Sequence, residues 1–236
     1  MKKFLLSLAV LLVFCTGIVA ADEVDVLIKQ LKSSNSDERL AAAKELGDKK
    51  DPRGVSSLVS VLRTDKKWEV RLAAEDSLVK IGSPSAEALL KVIREEQTCM
   101  PRRRAARALK EIKDPCAAET LMKASAEDPD CCVRKFAARA LGEINDPKSA
   151  KYLDAAMKRK NLEIVSGAYR YYIRKGEQGT EDVLIEAVQK SSYDKTMVLD
   201  FVGCENEKLK QAAEKIATEH GYALTPDWSG PKWGKT

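Results

Sequence analysis

Residues 133–147 have the sequence VRKFAARALGEINDP, and this arginine-to-proline pattern occurs four times along the chain. The copies end at prolines separated by 32, 31 and 32 residues. In every copy an arginine stands thirteen residues before the proline, an alanine follows the arginine by three residues and a leucine by seven. The four sets are Arg39, Ala42, Leu46, Pro52; Arg71, Ala74, Leu78, Pro84; Arg102, Ala105, Leu109, Pro115; and Arg134, Ala137, Leu141, Pro147. A fixed period in this range indicates a repeat architecture.

Each copy predicts two helices. The alanine and the leucine share one face of a helix that starts near the arginine, here called the arginine helix. An Asp-Pro or Ser-Pro pair ends that helix, because the residue before proline avoids the helical conformation while proline suits the first turn of the next helix. The next helix, here called the proline helix, begins at this proline, as over residues 52–62. The predicted fold is all-α, an α-solenoid of about five to six stacked helix-pair repeats.

The stretch 133–147 resembles the HEAT-like repeat of the phycobilisome-lyase type, and the other three copies resemble it less closely. The resemblance covers residues 22 to about 160. It then weakens, because Ser166 occupies the arginine position and Gly179 the proline position, but helical patterns continue to residue 221. We therefore predict a solenoid over residues 22–221. The resemblance implies a curved solenoid that binds a partner, and it implies no fixed activity.

Residues 1–21 predict a signal peptide. Lys2 and Lys3 precede an apolar run over 4–14, and small residues end the segment. An uncleaved anchor is one alternative, although the run is short for a membrane span. Lipidation of Cys15 is another, opposed by the bulky phenylalanine before it. We expect an exported protein, periplasmic or extracellular, with no stable membrane span after cleavage.

Composition and motifs favour a binding protein over an enzyme. Without residues 1–21 the chain has 39 basic and 36 acidic residues, so the total charge gives no support to nucleic-acid binding. Cys-x-x-Cys, a phosphate-cradling glycine loop and a nucleophile elbow are all absent. His220 stands near the end of the last predicted helix, where it complements the helix dipole. The sequence predicts no catalytic residue, no cofactor and no metal site.

The cysteines predict one disulfide. Five follow residue 21, and Cys99 and Cys131 occupy the same position, three before the arginine, in adjacent repeats. Like positions on stacked helices lie about 10 Å apart, which exceeds the usual disulfide span. Loop flexibility, or Cys132 in place of Cys131, would close the gap. We predict a bridge from Cys99 to Cys131 or Cys132, with five free thiols as the alternative; Cys116 lies at the opposite end of its repeat.

The arginines suggest two roles. Those that start the repeats, Arg39, Arg71, Arg102 and Arg134, lie near the last carbonyls of the preceding helix, so we predict a structural ladder and, less favoured, a binding site. The positions five residues after them lie off the apolar face and should form an outward row: Lys44, Asp76, Arg107, Arg139 and Tyr171. Arginines next to this row add positive charge around Arg107. The predicted partner-binding residues are Arg103, Arg104, Arg107, Arg139 and Tyr171. A basic groove with tyrosines, including Tyr169, suits an acidic protein segment or an anionic polymer, whereas an ordinary solvated face is the alternative.

The last segment, 222–236, predicts an irregular C-terminal tail, because prolines and glycines preclude a regular helix. Trp228 and Trp233 favour a tail that folds back and caps the stack, or else a linear motif for another protein. The function predicted from the whole sequence is an exported scaffold that binds a protein partner through the concave face of the solenoid. A lyase-like or enzyme-accessory protein and a thiol-based envelope sensor are the alternatives.

Overall fold

The computed structural model describes residues 22–144, 146–190, 195–225 and 232–235, with the backbone alone beyond residue 221. The predicted signal peptide 1–21 lies outside the described residues, as do Cys15, Trp228 and the side chain of Trp233. The described residues divide into two compact units, the first ending at Ile81 and the second beginning at Gly82. Within the described ranges, no helix combines the length and the apolar character that crossing a membrane requires.

The first unit consists of stacked helices. They are α1 (Glu23–Gln30), α2 (Ser36–Lys49), α3 (Val55–Thr64) and α4 (Trp68–Ile81). The arginine helices α2 and α4 pack directly against each other, and the proline helix α3 packs against α4. The core consists of fully buried leucines that recur at the predicted spacing: Leu46, Leu58, Leu62 and Leu78. The leucine of the repeat is therefore a core residue because it faces both the neighbouring repeat and its own partner helix.

The second unit continues the same pairs. Its helices are α5 (Ala86–Glu95), α6 (Cys99–Ile112), α7 (Ala118–Glu127), α8 (Cys131–Glu143), α9 (Pro147–Lys158), α10 (Leu162–Gly167), α11 (Tyr169–Lys175), α12 (Glu181–Lys190), α13 (Lys195–Val202) and α14 (Glu207–Glu219). The arginine helices α6 and α8 pack side by side, and each contacts its own proline helix, α5 or α7. The fold is the predicted all-α solenoid of helix pairs.

The aspartate of the Asp-Pro pairs caps the start of the next helix. Asp51 and Asp114 accept the backbone N–H two residues on, at 2.9 Å in both cases, above 3₁₀ turns that begin with proline. Asp146 accepts from Ser149 N at 2.9 Å. Such a cap satisfies backbone donors that have no partner within the helix. One dipeptide thus ends the arginine helix and begins the proline helix.

The weakened repeat near residue 166 has a broken arginine helix. Ala168 separates α10 from α11, with φ −95° and ψ 16°, where the other repeats continue without interruption. Gly167 ends α10 in close contact with α8, since a Cβ at Gly167 would lie 2.6 Å from Ala138 Cβ. The absence of a side chain at residue 167 is what permits this approach of the two backbones.

The C-terminal segment is more regular than predicted. Strands β1 (Tyr222–Thr225) and β2 (Lys232–Lys235) pair antiparallel, with Tyr222 opposite Lys235 and Thr225 opposite Lys232. The prediction of an irregular tail was therefore wrong for these two ranges. Prolines and glycines in a segment exclude a helix, but they do not exclude short extended strands within it. The backbone of β1 lies against α14.

Candidate partner-binding surface

In the first unit, Arg39 links three segments through one guanidinium. Its Nε and Nη2 donate to the Asp65 carboxylate at 2.6 and 3.0 Å, and its Nη1 donates to the Ser33 carbonyl at 2.9 Å. Arg71 Nη1 in turn donates to the backbone carbonyl of the same Asp65. The hydrogen bonds from Arg39 lower the pKa of the Asp65 carboxyl. Asp65 therefore connects the arginine of one repeat to the arginine of the next.

The second unit repeats this arrangement with a more buried pair. Arg102 donates from Nε and Nη2 to Asp128 at 2.9 Å each, and the two side chains are only 8% and 6% exposed. Arg102 Nη1 also donates to the Glu96 carbonyl at 2.9 Å. Arg134 Nη1 donates to the Asp128 carbonyl at 2.7 Å, and its Nε bonds Glu163 at 2.7 Å. The guanidinium groups of the ladder are therefore directed at backbone carbonyls and at acids of the next repeat.

The sequence-based reasoning missed the acidic members of this ladder. Asp65 and Asp128 each follow their arginine by 26 residues, so the signal was present at a fixed spacing. The same position after Arg71 is glutamine, and after Arg134 it is lysine, which hides the pattern. The acid bonded to Arg134 is instead Glu163, which lies three residues after that lysine.

Two positions of the predicted outward row lie in α6 and α8 of the second unit. Arg107 is exposed, and Arg139 is half-buried with its Cζ 5.8 Å from the centre of the Tyr169 ring. Arg103 bonds Asp130 at 2.9 and 2.6 Å. Arg104 is only 8% exposed, so its prediction as a partner-binding residue was wrong. Its position, two after the ladder arginine, turns into the stack of arginine helices.

The row does not extend to Tyr171. This side chain is half-buried, its hydroxyl donates to Asp154 Oδ1 at 3.1 Å, and its ring meets Tyr172 edge-on at 5.2 Å between centres. Burial and the Asp154 carboxylate raise the pKa of Tyr171. Through Asp154, Tyr171 is bonded to the proline helix α9. In the first unit, the row positions Lys44 and Asp76 are both exposed.

Tyr169, which the sequence suggested as part of an aromatic surface, is instead fully buried. Its hydroxyl donates to Asp200, which also accepts Arg170 Nε at 2.7 Å. Burial and the Asp200 carboxylate both raise the pKa of Tyr169, so the phenol stays protonated. The Cζ atoms of Arg139 and Arg170 lie 5.8 and 5.7 Å from the centre of the Tyr169 ring. A buried aromatic ring therefore orients two basic side chains through cation–π contacts.

The arginine helices of the second unit are strongly basic. Helix α6 has five basic residues and one acidic, α8 has three and one, and α11 has three and none. In the first unit, α2 has three basic and four acidic residues, and α4 has two and three. Arg107, Lys135, Arg139 and Arg170, all exposed or half-buried, are here called the basic face. Positive charge is thus concentrated on one set of helices within a chain that is close to balance overall.

All five cysteines that follow residue 21 are free thiols, so the predicted disulfide is not formed in this structure. Among the described residues, no group of three or more His, Cys, Asp or Glu side chains is arranged to hold a metal ion. Cys116 stands out chemically: partial burial of its thiol, together with the nearby Asp114 carboxylate, raises its pKa to about 11. Both causes disfavour the thiolate.

We expect Cys116 to react slowly with iodoacetamide at neutral pH, although the residue is exposed. Its alkylation rate should keep rising about tenfold per pH unit up to roughly pH 10, because the thiolate is the nucleophile. Site-resolved mass spectrometry at a series of pH values measures this rate. Asp114→Asn should shift the profile to lower pH, and Asp130→Asn, at the other end of the repeat, should leave it unchanged. The ordinary pKa of a cysteine thiol is about 8.5. If the alkylation rate of Cys116 in the unmodified protein stopped rising near that pH, the raised pKa would be contradicted.

These stacked helix pairs define a helical-repeat protein. The model of the HEAT-repeat family matches residues 24–98 and 86–174, and the chain therefore belongs to that family. No curated protein matches the sequence. One similar solved structure is the complex of CpcE and CpcF of phycocyanin lyase from Nostoc sp. PCC7120, at 20% identity and a TM-score of 0.50, over 84% of this chain and 87% of that one. An engineered protein is similar at 18% identity and a TM-score of 0.42, over 82% of this chain and 96% of that one. The likeness to the CpcE and CpcF complex concerns the fold alone.

Proposed function

We propose that this protein is an exported scaffold that binds an acidic segment of a partner protein through the basic face. The observation that carries the proposal is the concentration of basic residues on α6, α8 and α11, against acidic or balanced arginine helices in the first unit. A ladder of structural contacts uses Arg102 and Arg134, whereas Arg107, Lys135 and Arg139 lie outside that ladder. Their positive charge complements an acidic partner.

The arrangement of the basic face suits carboxylates on a chain. Arginine forms paired hydrogen bonds with a carboxylate, and neighbouring helices place such groups about 10 Å apart. The Tyr169 ring holds Arg139 and Arg170 in position, which lowers the entropy lost when a ligand orders them. An extended acidic segment crossing α6 and α8 would meet Arg107 and Arg139 in turn.

Reversing the charge at two positions tests the proposal. The double variant Arg107→Glu with Arg139→Glu should bind at least about tenfold more weakly to a fluorescently labelled glutamate decapeptide, because each substitution replaces attraction by repulsion. Fluorescence anisotropy at low salt measures the affinity, and circular dichroism checks that helicity is retained. The matched control, Lys91→Glu with Lys123→Glu, makes the same change in net charge on the proline helices α5 and α7. Equal loss in both variants would show a general charge effect and contradict a defined site.

Cross-linking in intact cells identifies the natural partner. The tagged protein should recover a specific protein that the Arg107/Arg139 reversal does not recover and that the Lys91/Lys123 control does. The same preparation tests export, since loss of residues 1–21 from the recovered chain is expected. A chain found in the cytoplasm with residues 1–21 intact would favour the enzyme-accessory alternative, in which the protein assists a lyase or another modifying enzyme.

A further inference from the structure

The first turns of α6 and α8 bring cysteines together around one ion pair. Cys99 is the first residue of α6, and Cys132 is the second residue of α8, which packs beside it. Asp130 caps α8 by accepting the Val133 N–H at 2.9 Å. The same carboxylate accepts both Nε and Nη2 of Arg103 from α6, at 2.9 and 2.6 Å. The ion pair therefore fixes the two helix starts side by side.

Two of the three thiols at this place flank the ion pair. Cys99 and Cys132 both interact electrostatically with the Arg103 guanidinium, and the Cys99 thiol also stabilises the charged Asp130 carboxylate. Cys131 interacts instead with Arg134 of its own helix. Cys131 shares the repeat position of Cys99, but Cys132 is the cysteine of α8 that interacts with Arg103 of α6. This interaction favours Cys132 over Cys131 as the partner of Cys99.

Opposing effects act on these two thiols, and the cation among them is Arg103. Both are half-buried at the N-terminal turn of a helix, where the helix dipole favours a negative charge. Burial raises the pKa of the Cys132 thiol above its usual value, Cys131 and Asp130 add to this increase, and the positive charge of Arg103 opposes it. Cys116 also has an acid beside it, but no cation is among the groups that shift its pKa.

We propose that Cys99 and Cys132 form a thiol–disulfide exchange site that takes a low-molecular-weight disulfide of the glutathione class as its oxidant. The thiolate of one cysteine attacks a sulfur of the disulfide, and the S–S bond of the oxidant breaks to release one thiol. The second cysteine attacks the resulting mixed disulfide and releases the second thiol. One protein disulfide forms, the oxidant is reduced to two thiols, and the two protons of the cysteines pass to those thiols.

Oxidised glutathione is the probe for the test. The protein is incubated with it, the remaining thiols are blocked with N-ethylmaleimide, and linked peptides are identified by mass spectrometry without reduction. We expect a Cys99–Cys132 bridge that also forms in Cys131→Ser, Cys116→Ser and Cys204→Ser. In Cys132→Ser we expect glutathione to remain attached to Cys99, and in Cys99→Ser we expect it to remain attached to Cys132. A glutathione adduct that persists in the unmodified protein, or a bridge that survives in Cys132→Ser, would overturn the pairing.

The role of Arg103 is tested by rate. Arg103→Gln should slow bridge formation about tenfold, because the guanidinium favours the attacking thiolate. Arg103→Lys keeps the charge and should restore most of the rate, which separates an electrostatic role from a merely structural one. Lys110→Gln, on the same helix two turns further on, should react as the unmodified protein does. Equal rates in Arg103→Gln and Lys110→Gln would remove the ion pair from the proposal.

Discussion

Replacing Arg102 by methionine should lower the free energy of unfolding by about 3 kcal/mol. Methionine keeps the apolar stem of the side chain, so the loss comes from the charge and its hydrogen bonds. The Asp128 carboxylate, 6% exposed, would remain buried without its cation, and removing one partner of a buried ion pair typically costs about 3 to 5 kcal/mol. The Glu96 carbonyl would also lose its donor. Urea unfolding followed by circular dichroism measures the change.

Two further variants make this result specific. Arg134→Met breaks a pair whose acid, Glu163, is 45% exposed, so the ion pair itself should account for no more than about 1 kcal/mol. Arg102→Met combined with Asp128→Leu removes both charges and should recover a large part of the stability, because an apolar pair needs no desolvation of ions. If the single Arg102 variant is no less stable than the Arg134 variant, burial does not explain the contribution of the Arg102–Asp128 pair to the free energy of unfolding.

Replacing Gly167 by alanine should destabilise the second unit by about 2 kcal/mol, within the range expected for overpacking. The new Cβ would lie 2.6 Å from Ala138 Cβ and 2.8 Å from the Lys135 carbonyl oxygen. Both neighbours belong to α8, and one of them is backbone, so relief requires α10 to move away from α8. Thermal and urea unfolding of the purified protein measure the effect.

Gly203 provides the matched control. A Cβ there would meet nothing closer than 3.7 Å, so Gly203→Ala should change stability by less than about 0.5 kcal/mol. Adding Ala138→Gly to Gly167→Ala should restore only part of the loss, because the Lys135 carbonyl still blocks the Cβ. Full recovery in that double variant would show that the side-chain contact alone sets the approach of the two helices.

The helix pairs were predictable because their signals are local. A proline with its preceding aspartate ends one helix and caps the next, and these residues are neighbours in the chain. The arginine contacts with the preceding turn were also accessible, since Arg39 and the Ser33 carbonyl are only six residues apart. The strand pair 222–225 and 232–235 was missed because prolines and glycines exclude a helix without specifying what replaces it.

The surface was harder to predict. Periodicity placed Arg107 and Arg139 outward, and they are exposed or half-buried. It placed Arg104 and Tyr171 there as well, although Arg104 is buried and Tyr171 bonds Asp154. In a stacked repeat an arginine helix has neighbours on two sides, so a residue off the main apolar face can still be enclosed by the adjacent helix. A break such as that at Ala168 also shifts every later position relative to the repeat.

The sequence by itself determined the repeat, the all-α fold and the positions of the ladder arginines, because helical periodicity and capping depend on residues a few positions apart. The tertiary structure alone decided which acid each arginine binds, that Cys132 and not Cys131 turns toward Arg103, and that Gly167 must lack a side chain. These features join residues about thirty positions apart in the chain. Their geometry depends on how neighbouring helices pack, and that packing is set by many side chains together.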